Sequence, residues 1–510
     1  MTTPGSGRTT ATPARAPLPE GTVLRADPRL RRREQGRLLI GGSPRRMIRL
    51  SAVGAGLVGR WLAGEPLTAA SGATSPAVTA LARRLIDAGM VHPSPAARIG
   101  RDDRAGDAGP SSMPTVVIPV RDDAPGLLAT ATGLDGLTVV AVDDGSSPPL
   151  PRTEPTDPDL SVRIVRRPRS GGPGRARQTG LDLVTTDLVC FIDAGVRIDS
   201  AAVARLVAWF ADPEVVAVAP RVVSIPSPER GSAGWAGVIA RFEDDRSPLD
   251  MGPHPSPVGP GRTIAYVPTA CLMVRTAAVR AAGGFDPGLR YGEDVDLVWR
   301  LGELGSIRYD PSVVARHPAR GSLGQVAGQR FGYGSAAAPL ARRHPGRLAP
   351  VRLSAGTAAT LALATRAPLM PVAAAVVLAR GLRVRRKLAA VTPDPGAEAA
   401  RLVATGTAQA ARSVADVAVR AWWPITAAAL ACPPTRSTAL VLVAASWGRR
   451  VLTRAVTGRG LDGRDPRRAV VAAVDDLAYG AGVWVGAFRC RSINAIAPDL
   501  NVSDRDPSTQ

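Results

Sequence analysis

Aromatic residues are scarce, at 4% of the 510 residues. They nowhere alternate with basic side chains, so the chain lacks the stacking pattern that would point to a nucleic-acid partner, and none is expected. Cysteine is rarer still. Cys190, Cys271, Cys432 and Cys490 lie far apart and form no CxxC pair. That spacing argues against a zinc site or a disulfide framework and fits reduced thiols in a cytosolic compartment. Residues 1–20 are polar and Pro-rich, with no apolar stretch, so they read as a disordered tail and not as a secretory signal.

Long apolar runs are also missing. The longest clean one, 367–379, falls short of the ~20 residues a spanning helix wants. Two Ala-rich stretches, 353–379 and 421–447, are interrupted by Arg366, Pro368 and Pro371, and by Pro424, Pro433, Pro434 and Arg436. Basic residues flank both stretches on both sides, which gives no orientation bias for a single crossing. The pattern suits helices lying on an anionic membrane face, or a shallow hairpin, more than it suits a soluble helical bundle. The expected location is the cytoplasmic face of the membrane, or the cytoplasm.

What is present is length and positive charge. A chain of this size exceeds one compact core and should hold two to four domains. The formal net charge of +21 fits an anionic partner or an ordinary Arg-rich solvated surface. Short strand-like runs at 38–40 and 47–50 flank a Gly-Gly-Ser-Pro turn, and two helical patterns follow. Residues 21–100 therefore read as a small α+β module, followed by a polar linker over 101–112. Apolar, β-branched runs at 115–120, 139–142, 163–165, 188–192 and 215–218 then alternate with helical segments. That alternation predicts an α/β domain on a parallel sheet over 113–335. Residues 336–495 read as a helical, membrane-associated region, and 496–510 as a tail.

The candidate chemistry lies at the ends of these strands, where open α/β sheets bind ligands. The second run ends in Asp143-Asp144-Gly145-Ser146, carboxylates suited to a ribose or a uracil-like N–H. The fourth ends in Asp193, a hard oxygen donor for Mg2+ or Mn2+ on a nucleotide diphosphate. Between them, Ser170-Gly171-Gly172-Pro173-Gly174-Arg175-Ala176-Arg177 opens a helix whose N–H groups and arginines could face a phosphate. Glu293-Asp294-Val295-Asp296 precedes an amphipathic helix. The helix dipole favours acids there, and one of them can also accept a proton from an attacking sugar hydroxyl.

Together these features resemble the family 2 glycosyltransferases. Ile118-Pro119-Val120 with Asp122 resembles their first-strand motif, and Val142-Asp143-Asp144-Gly145-Ser146 their nucleotide motif. Ala176-Arg177-Gln178-Thr179-Gly180 resembles their ARNxG segment, and Ile192-Asp193 the start of their Asp-x-Asp motif, whose second acid is here Gly195. Gly292-Glu293-Asp294-Val295-Asp296-Leu297 resembles their catalytic-base helix, and Gln329-Arg330-Phe331-Gly332-Tyr333-Gly334 a later basic-aromatic motif. The resemblance implies a GT-A fold on a mostly parallel sheet, with Pro119, Asp122, Asp143, Asp144, Arg177 and Asp193 around the nucleotide. It implies Asp294 as base, aided by Glu293, with Arg330 and Gln329 near the phosphate or acceptor. The divalent cation would be held by Asp193 and, with one acid missing, by His317.

The whole layout is most similar to the branch of the family that serves the mycofactocin system, with residues 21–100 as a PqqD-like peptide-recognition module. That branch implies inverting transfer of glucose from UDP-glucose to a mycofactocin precursor or peptide acceptor, and growth of a short β-glucan chain. A transferase of cell-envelope polysaccharide, or a non-catalytic nucleotide-sugar and peptide binder, would carry much the same motifs.

Overall fold

A computed structural model describes residues 16–67, 76–94, 113–151, 162–389, 394–456 and 465–500. The expected linker at 101–112, most of the N-terminal tail and residues 501–510 lie outside the described residues.

The first unit contains β1 (Val23–Ala26), β2 (Arg31–Arg33), β3 (Leu38–Gly41) and β4 (Arg46–Arg49), then α1 (Ala52–Leu62), α2 (Pro76–Asp87) and β5 (Val91–Ser94). β1 pairs antiparallel with β5, and β2, β3 and β4 form a second antiparallel sheet. Ser51 starts α1 by accepting a hydrogen bond from the Gly54 N–H. Leu39, Ile48, Val58, Trp61, Leu85 and Met90 close the core between sheet and helices. The unit is fixed to the next domain. The buried Arg83 pairs with Asp212 at 2.7 Å, and Arg262 donates to the Asp87 carbonyl at 2.6 Å. Arg83 also donates to the carbonyls of Ala16 and Pro17, so the end of the expected N-terminal tail is bound, not free.

The second unit follows as β6 (Thr115–Val120), α3 (Ala124–Ala131), β7 (Val139–Asp143), β8 (Val162–Arg166), α4 (Pro173–Leu181), β9 (Leu188–Ile192), α5 (Ser200–Val207) and β10 (Val215–Ile225). It continues as α6 (Trp235–Arg246), β11 (Ser256–Pro257), β12 (Cys271–Arg275), α7 (Thr276–Ala281), α8 (Glu293–Leu304) and β13 (Ser306–Pro318). Eight strands form one sheet in the order β11-β13-β10-β12-β9-β6-β7-β8. The sheet is mostly parallel, as the resemblance to a GT-A fold implies. β12 enters between β9 and β10 and runs antiparallel to both. Its run Cys-Leu-Met-Val is fully buried, as the parallel strands are. Burial on both faces marks a central strand without giving its direction. Two apolar cores cover the two faces of the sheet.

The last third is helical: α9 (Leu323–Ser335), α10 (Ala337–Arg343), α11 (Ala355–Ala364), α12 (Met370–Leu388), α13 (Pro395–Arg420), α14 (Trp423–Ala431), α15 (Pro433–Val456) and α16 (Arg467–Cys490). Among the described residues, two helical stretches, Ala367–Leu388 and Arg467–Cys490, are long and apolar enough to cross a membrane. The expected C-terminal tail at 496–510 is tied back at its start, where the Leu353 N–H donates to the Asp499 carbonyl.

Helix α16 crosses α9 through glycines. A Cβ on Gly482 would stand 2.1 Å from the Phe331 carbonyl oxygen, and one on Gly334 would stand 2.0 Å from that of Tyr479. The two backbones leave no room for a side chain, so the crossing is specified by the absence of one. Gly482→Leu should force the helices apart and lower stability by about 3 kcal/mol or more. Urea unfolding measures it, and an unchanged midpoint would contradict this packing.

Candidate active site

β6, β7 and β9 are parallel neighbours, so their carboxyl ends open on one edge of the sheet. The N-terminus of α8 arrives at the same edge. A cleft of about 620 Å³ forms there, lined by Pro119, Asp144, Arg177, Asp193, Glu293 and Asp294, with His317, Gln329 and Tyr333 along its rim. Two strand ends, with Asp144 and Asp193, and one helix start, with Glu293 and Asp294, thus supply carboxylates to a single cavity.

Arg177 is its organiser. It is buried on α4 and forks between two acids, donating to Asp193 Oδ1 and, at 2.9 Å, to Glu293 Oε1. Burial works against its charge, but Asp193 and then Glu293 outweigh burial and raise its pKa. For Glu293 the balance is reversed. Burial raises its pKa, and the guanidinium offsets only part of the rise. Asp294 stands next to it, half-buried, with Oδ1 accepting the Val295 N–H at 2.8 Å. Burial first, and the Glu293 charge second, lift the Asp294 carboxyl to about 7. A carboxylate with a pKa near neutrality is suited to general-base work.

Other predicted residues stand elsewhere. Asp143 is buried behind the cleft, where it accepts hydrogen bonds from the Ser146 N–H at 2.8 Å and Arg166 Nη1 at 2.6 Å. Burial opposes its ionisation, but these donors win and hold its pKa below the usual range. Asp122 is exposed, at φ +54°, and accepts the Ser147 N–H at 2.8 Å, clipping the turn after β7 to the end of β6. Neither Asp143 nor Asp122 lines the cleft. The Gly-rich loop does not offer its N–H groups to a ligand. Gly171 and Gly172 donate to Asp144, which also takes Ser170 Oγ and Arg167 Nε, each at 2.8 Å.

Arg330 is the larger correction. It is buried between Glu243, 2.8 Å away, and Asp475 of α16, and it does not line the cleft. A guanidinium so engaged locks α9 to α6 and α16 and is not free to steady a diphosphate. Gln329 does reach the cleft, with Nε2 donating to the Tyr333 hydroxyl at 3.0 Å. Asp296, third of the clustered acids, is fully buried. It is held by Arg300 at 2.6 Å, Arg343 at 2.7 Å and His344 at 2.9 Å, so it anchors α8 to α10.

The cleft offers few donors to a divalent cation. Asp193 faces the cleft, and among the described residues its Oδ2 accepts no hydrogen bond, so a hard oxygen donor remains for an ion. His317 is exposed on the rim, with Nδ1 2.7 Å from the Pro318 carbonyl oxygen. Among the described residues no group of three or more His, Cys, Asp or Glu is arranged to hold a metal. The residues fit an ion held mainly by its substrate, with Asp193 as the protein's anchor.

Sequence reasoning missed Thr269, Arg290 and Arg320, which also line the cleft. They come from loops without a motif. It also missed a second cavity of about 670 Å³, which meets the first at Asp294 and lies beneath the C-terminal helices.

Residues 115–258 match glycosyl transferase family 2, whose GT-A fold is the mostly parallel sheet described above. The chain is 36% identical to the pre-mycofactocin glycosyltransferase of Mycobacterium tuberculosis, in strains CDC 1551 and H37Rv alike, over 95% of this chain and 98% of that one. Among solved structures, a Pyrobaculum calidifontis mannosyltransferase in complex with GDP-Man and Mn2+ is 20% identical, with a TM-score of 0.33, covering 68% of this chain and 92% of that one. Relatedness over nearly the full length of both chains decides the assignment: this chain belongs to the family 2 glycosyltransferases and, within them, to the pre-mycofactocin glycosyltransferase family.

Proposed function

We propose that the protein transfers glucose from UDP-glucose, with inversion at the anomeric carbon, to a hydroxyl of a mycofactocin precursor. The acceptor rests on the printed name of the relative, and the donor on the family resemblance. The observation that carries the reading is Asp294, a carboxylate raised to about 7 by burial and by Glu293, standing where the cleft meets a second cavity. On this reading the acceptor oxygen attacks the anomeric carbon as its proton passes to an Asp294 carboxylate oxygen. The bond from that carbon to the diphosphate oxygen breaks, and its electron pair leaves with UDP.

On this reading Pro119 and Asp144, which line the cleft at the ends of β6 and β7, would hold the nucleoside. Glu293 is pinned by Arg177, which keeps the start of α8 aimed at the sheet edge. Asp193, with His317, would hold Mg2+ or Mn2+, which when bound neutralises charge on the diphosphate. Growth of a short β-glucan chain would repeat the same transfer on the sugar just added. UDP-glucose with Mn2+ should raise the melting temperature by several degrees, because a ligand that binds only the folded state stabilises it. GDP-mannose should do so less. No shift with any nucleotide-sugar would refute the donor site.

We also propose that the protein rests on the membrane through α12. Only 6% of its apolar window is buried, and Met370, Val372, Leu378 and Leu382 are exposed. The helix ends in Arg385, Arg386 and Lys387. An apolar face next to a basic end suits an anionic bilayer surface. The protein should sediment with phosphatidylglycerol vesicles, and Leu378→Asp with Leu382→Asp should release it. Equal recovery with and without vesicles would overturn this placement.

A further inference from the structure

Residues 258–264 make a tight loop between β11 and β12, closed by a bridge from Val258 to Ile264 and by the Gly259 N–H donating to the Ile264 carbonyl at 3.1 Å. The N-terminal unit grips the tip of this loop. Arg262 donates to the carbonyls of Ser43, at 3.1 Å, and of Asp87, at 2.6 Å. The Thr263 N–H donates to Ser43 Oγ at 2.6 Å, and the buried Ser43 hydroxyl donates in turn to Thr263 Oγ1 at 3.0 Å. From Arg262 the chain runs on to β12 without a helix or a strand ladder of its own. On the way it touches three parts of the candidate active site. The Ala265 carbonyl accepts Trp299 Nε1 at 2.8 Å, on the helix that begins with Glu293 and Asp294. Tyr266 stands close to Asp294: burial, and after it the Asp294 charge, push its hydroxyl pKa up. Thr269 and Ala270 line the donor cleft, and the Ala270 carbonyl accepts the Asp193 N–H at 3.0 Å.

The geometry points to residues 262–270 as a strap through which the N-terminal unit holds the donor cleft in shape, with Arg262 and Ser43 as positioning residues. The strap itself stands on these contacts alone, and its effect on catalysis rests on the transferase reading. Fixing a backbone costs conformational entropy at every residue, so a segment without its own ladder keeps one path only while both ends are held. At the far end β12 holds it, by pairing with β9 and β10. At the near end the anchor lies in another unit of the chain, and the hydrogen bonds from the Arg262 guanidinium are of the stronger, charge-assisted kind. Cutting that anchor does not release the N-terminal unit, because the buried Arg83–Asp212 pair fixes it to the transferase domain separately. A freed strap slackens at Tyr266 and at Ala270. Water then reaches Asp294, and the Asp193 N–H loses its partner for part of the time. The N-terminal unit thereby acts on the transfer site without touching a substrate there.

Hydrogen exchange on the full chain, resolved to single amides, tests the strap without turnover. Arg262→Met should speed exchange of the Asp193 amide by about tenfold or more, and Ser43→Ala should speed it in the same direction. Arg262→Lys keeps a cationic donor and should recover part of the protection. Val58→Ala loosens the core of the N-terminal unit without touching the strap, and it should leave the Asp193 amide as slow as in the wild type. Wild-type exchange at Asp193 in both Arg262→Met and Ser43→Ala would overturn the proposal. So would equal acceleration in Val58→Ala, which would make the effect one of general stability. In the transfer assay, the pH step of kcat/KM should move about half a pH unit lower or more in Arg262→Met, because hydration of Asp294 favours its charged form. A step that stays in place would show that the strap does not reach the base. UDP release by the wild type, measured separately, reports on the transferase reading, and its absence would leave the exchange result to decide the strap.

Discussion

Asp294→Asn should lower sugar transfer by roughly a thousandfold while donor affinity stays nearly constant, the usual scale of a lost general base. The amide is nearly isosteric and keeps an oxygen for the Val295 N–H, so the start of α8 should hold its shape. What it loses is the ability to take a proton. The variant should also be more stable than the wild type above neutral pH. A carboxyl whose folded-state pKa of about 7 exceeds its usual 3.8 stabilises the folded chain at low pH, and that contribution is lost as pH rises through 7. An amide does not titrate, so it avoids the loss. UDP release with saturating donor measures the first effect and thermal melting at pH 8 the second. Wild-type turnover would remove Asp294 from the chemistry.

Arg177→Met should be the most damaging single change in the donor cleft. Its guanidinium is 4% exposed, and it bridges Glu293 and Asp193, whose side chains are 9% and 28% exposed. Deleting one partner of a buried pair leaves the others charged and unpaired, at a cost of about 3 to 5 kcal/mol. The cost should shrink at low pH, because burial already raises the pKa of Glu293 and protonation relieves the unpaired charge. Arg177→Lys should recover only part of the loss, since an ammonium cannot fork between two carboxylates in fixed directions. Urea unfolding at pH 5 and pH 8 reads both effects. A midpoint equal to the wild type at pH 8 would show that the bridge does not organise the cleft.

Positions were easier to read from the sequence than orientations. The strand ends carrying Asp144 and Asp193, and the helix start carrying Glu293 and Asp294, converge on one cleft, as their places in the alternation implied. Which of two adjacent acids turns inward was not legible. Asp143 closes β7 and folds back on Ser146 and Arg166, while Asp144 one step later reaches the cavity. The loop glycines could have served a phosphate or a carboxylate equally well, and the carboxylate of Asp144 took them. Arg330 lay beyond sequence reasoning for a different reason. Its partner Asp475 is 145 residues away, and the helix bringing it close is placed by glycines whose spacing has no local meaning. Asp296 was obscured in the same way, with Arg343 and His344 nearly fifty residues distant. β12 was not among the strands read from the sequence, because its run Cys271-Leu272-Met273-Val274 holds a single β-branched residue and does not alternate.

The most direct test is the pH dependence of kcat/KM for transfer from UDP-glucose, in the wild type and in Asp294→Asn. The wild-type rate should climb with pH through an apparent pKa close to 7, because only the ionised carboxylate accepts the proton. The residual rate of the variant should lack that step. A wild-type profile that is flat from pH 5 to 9, or an identical step in the variant, would contradict the assignment of Asp294 as the base.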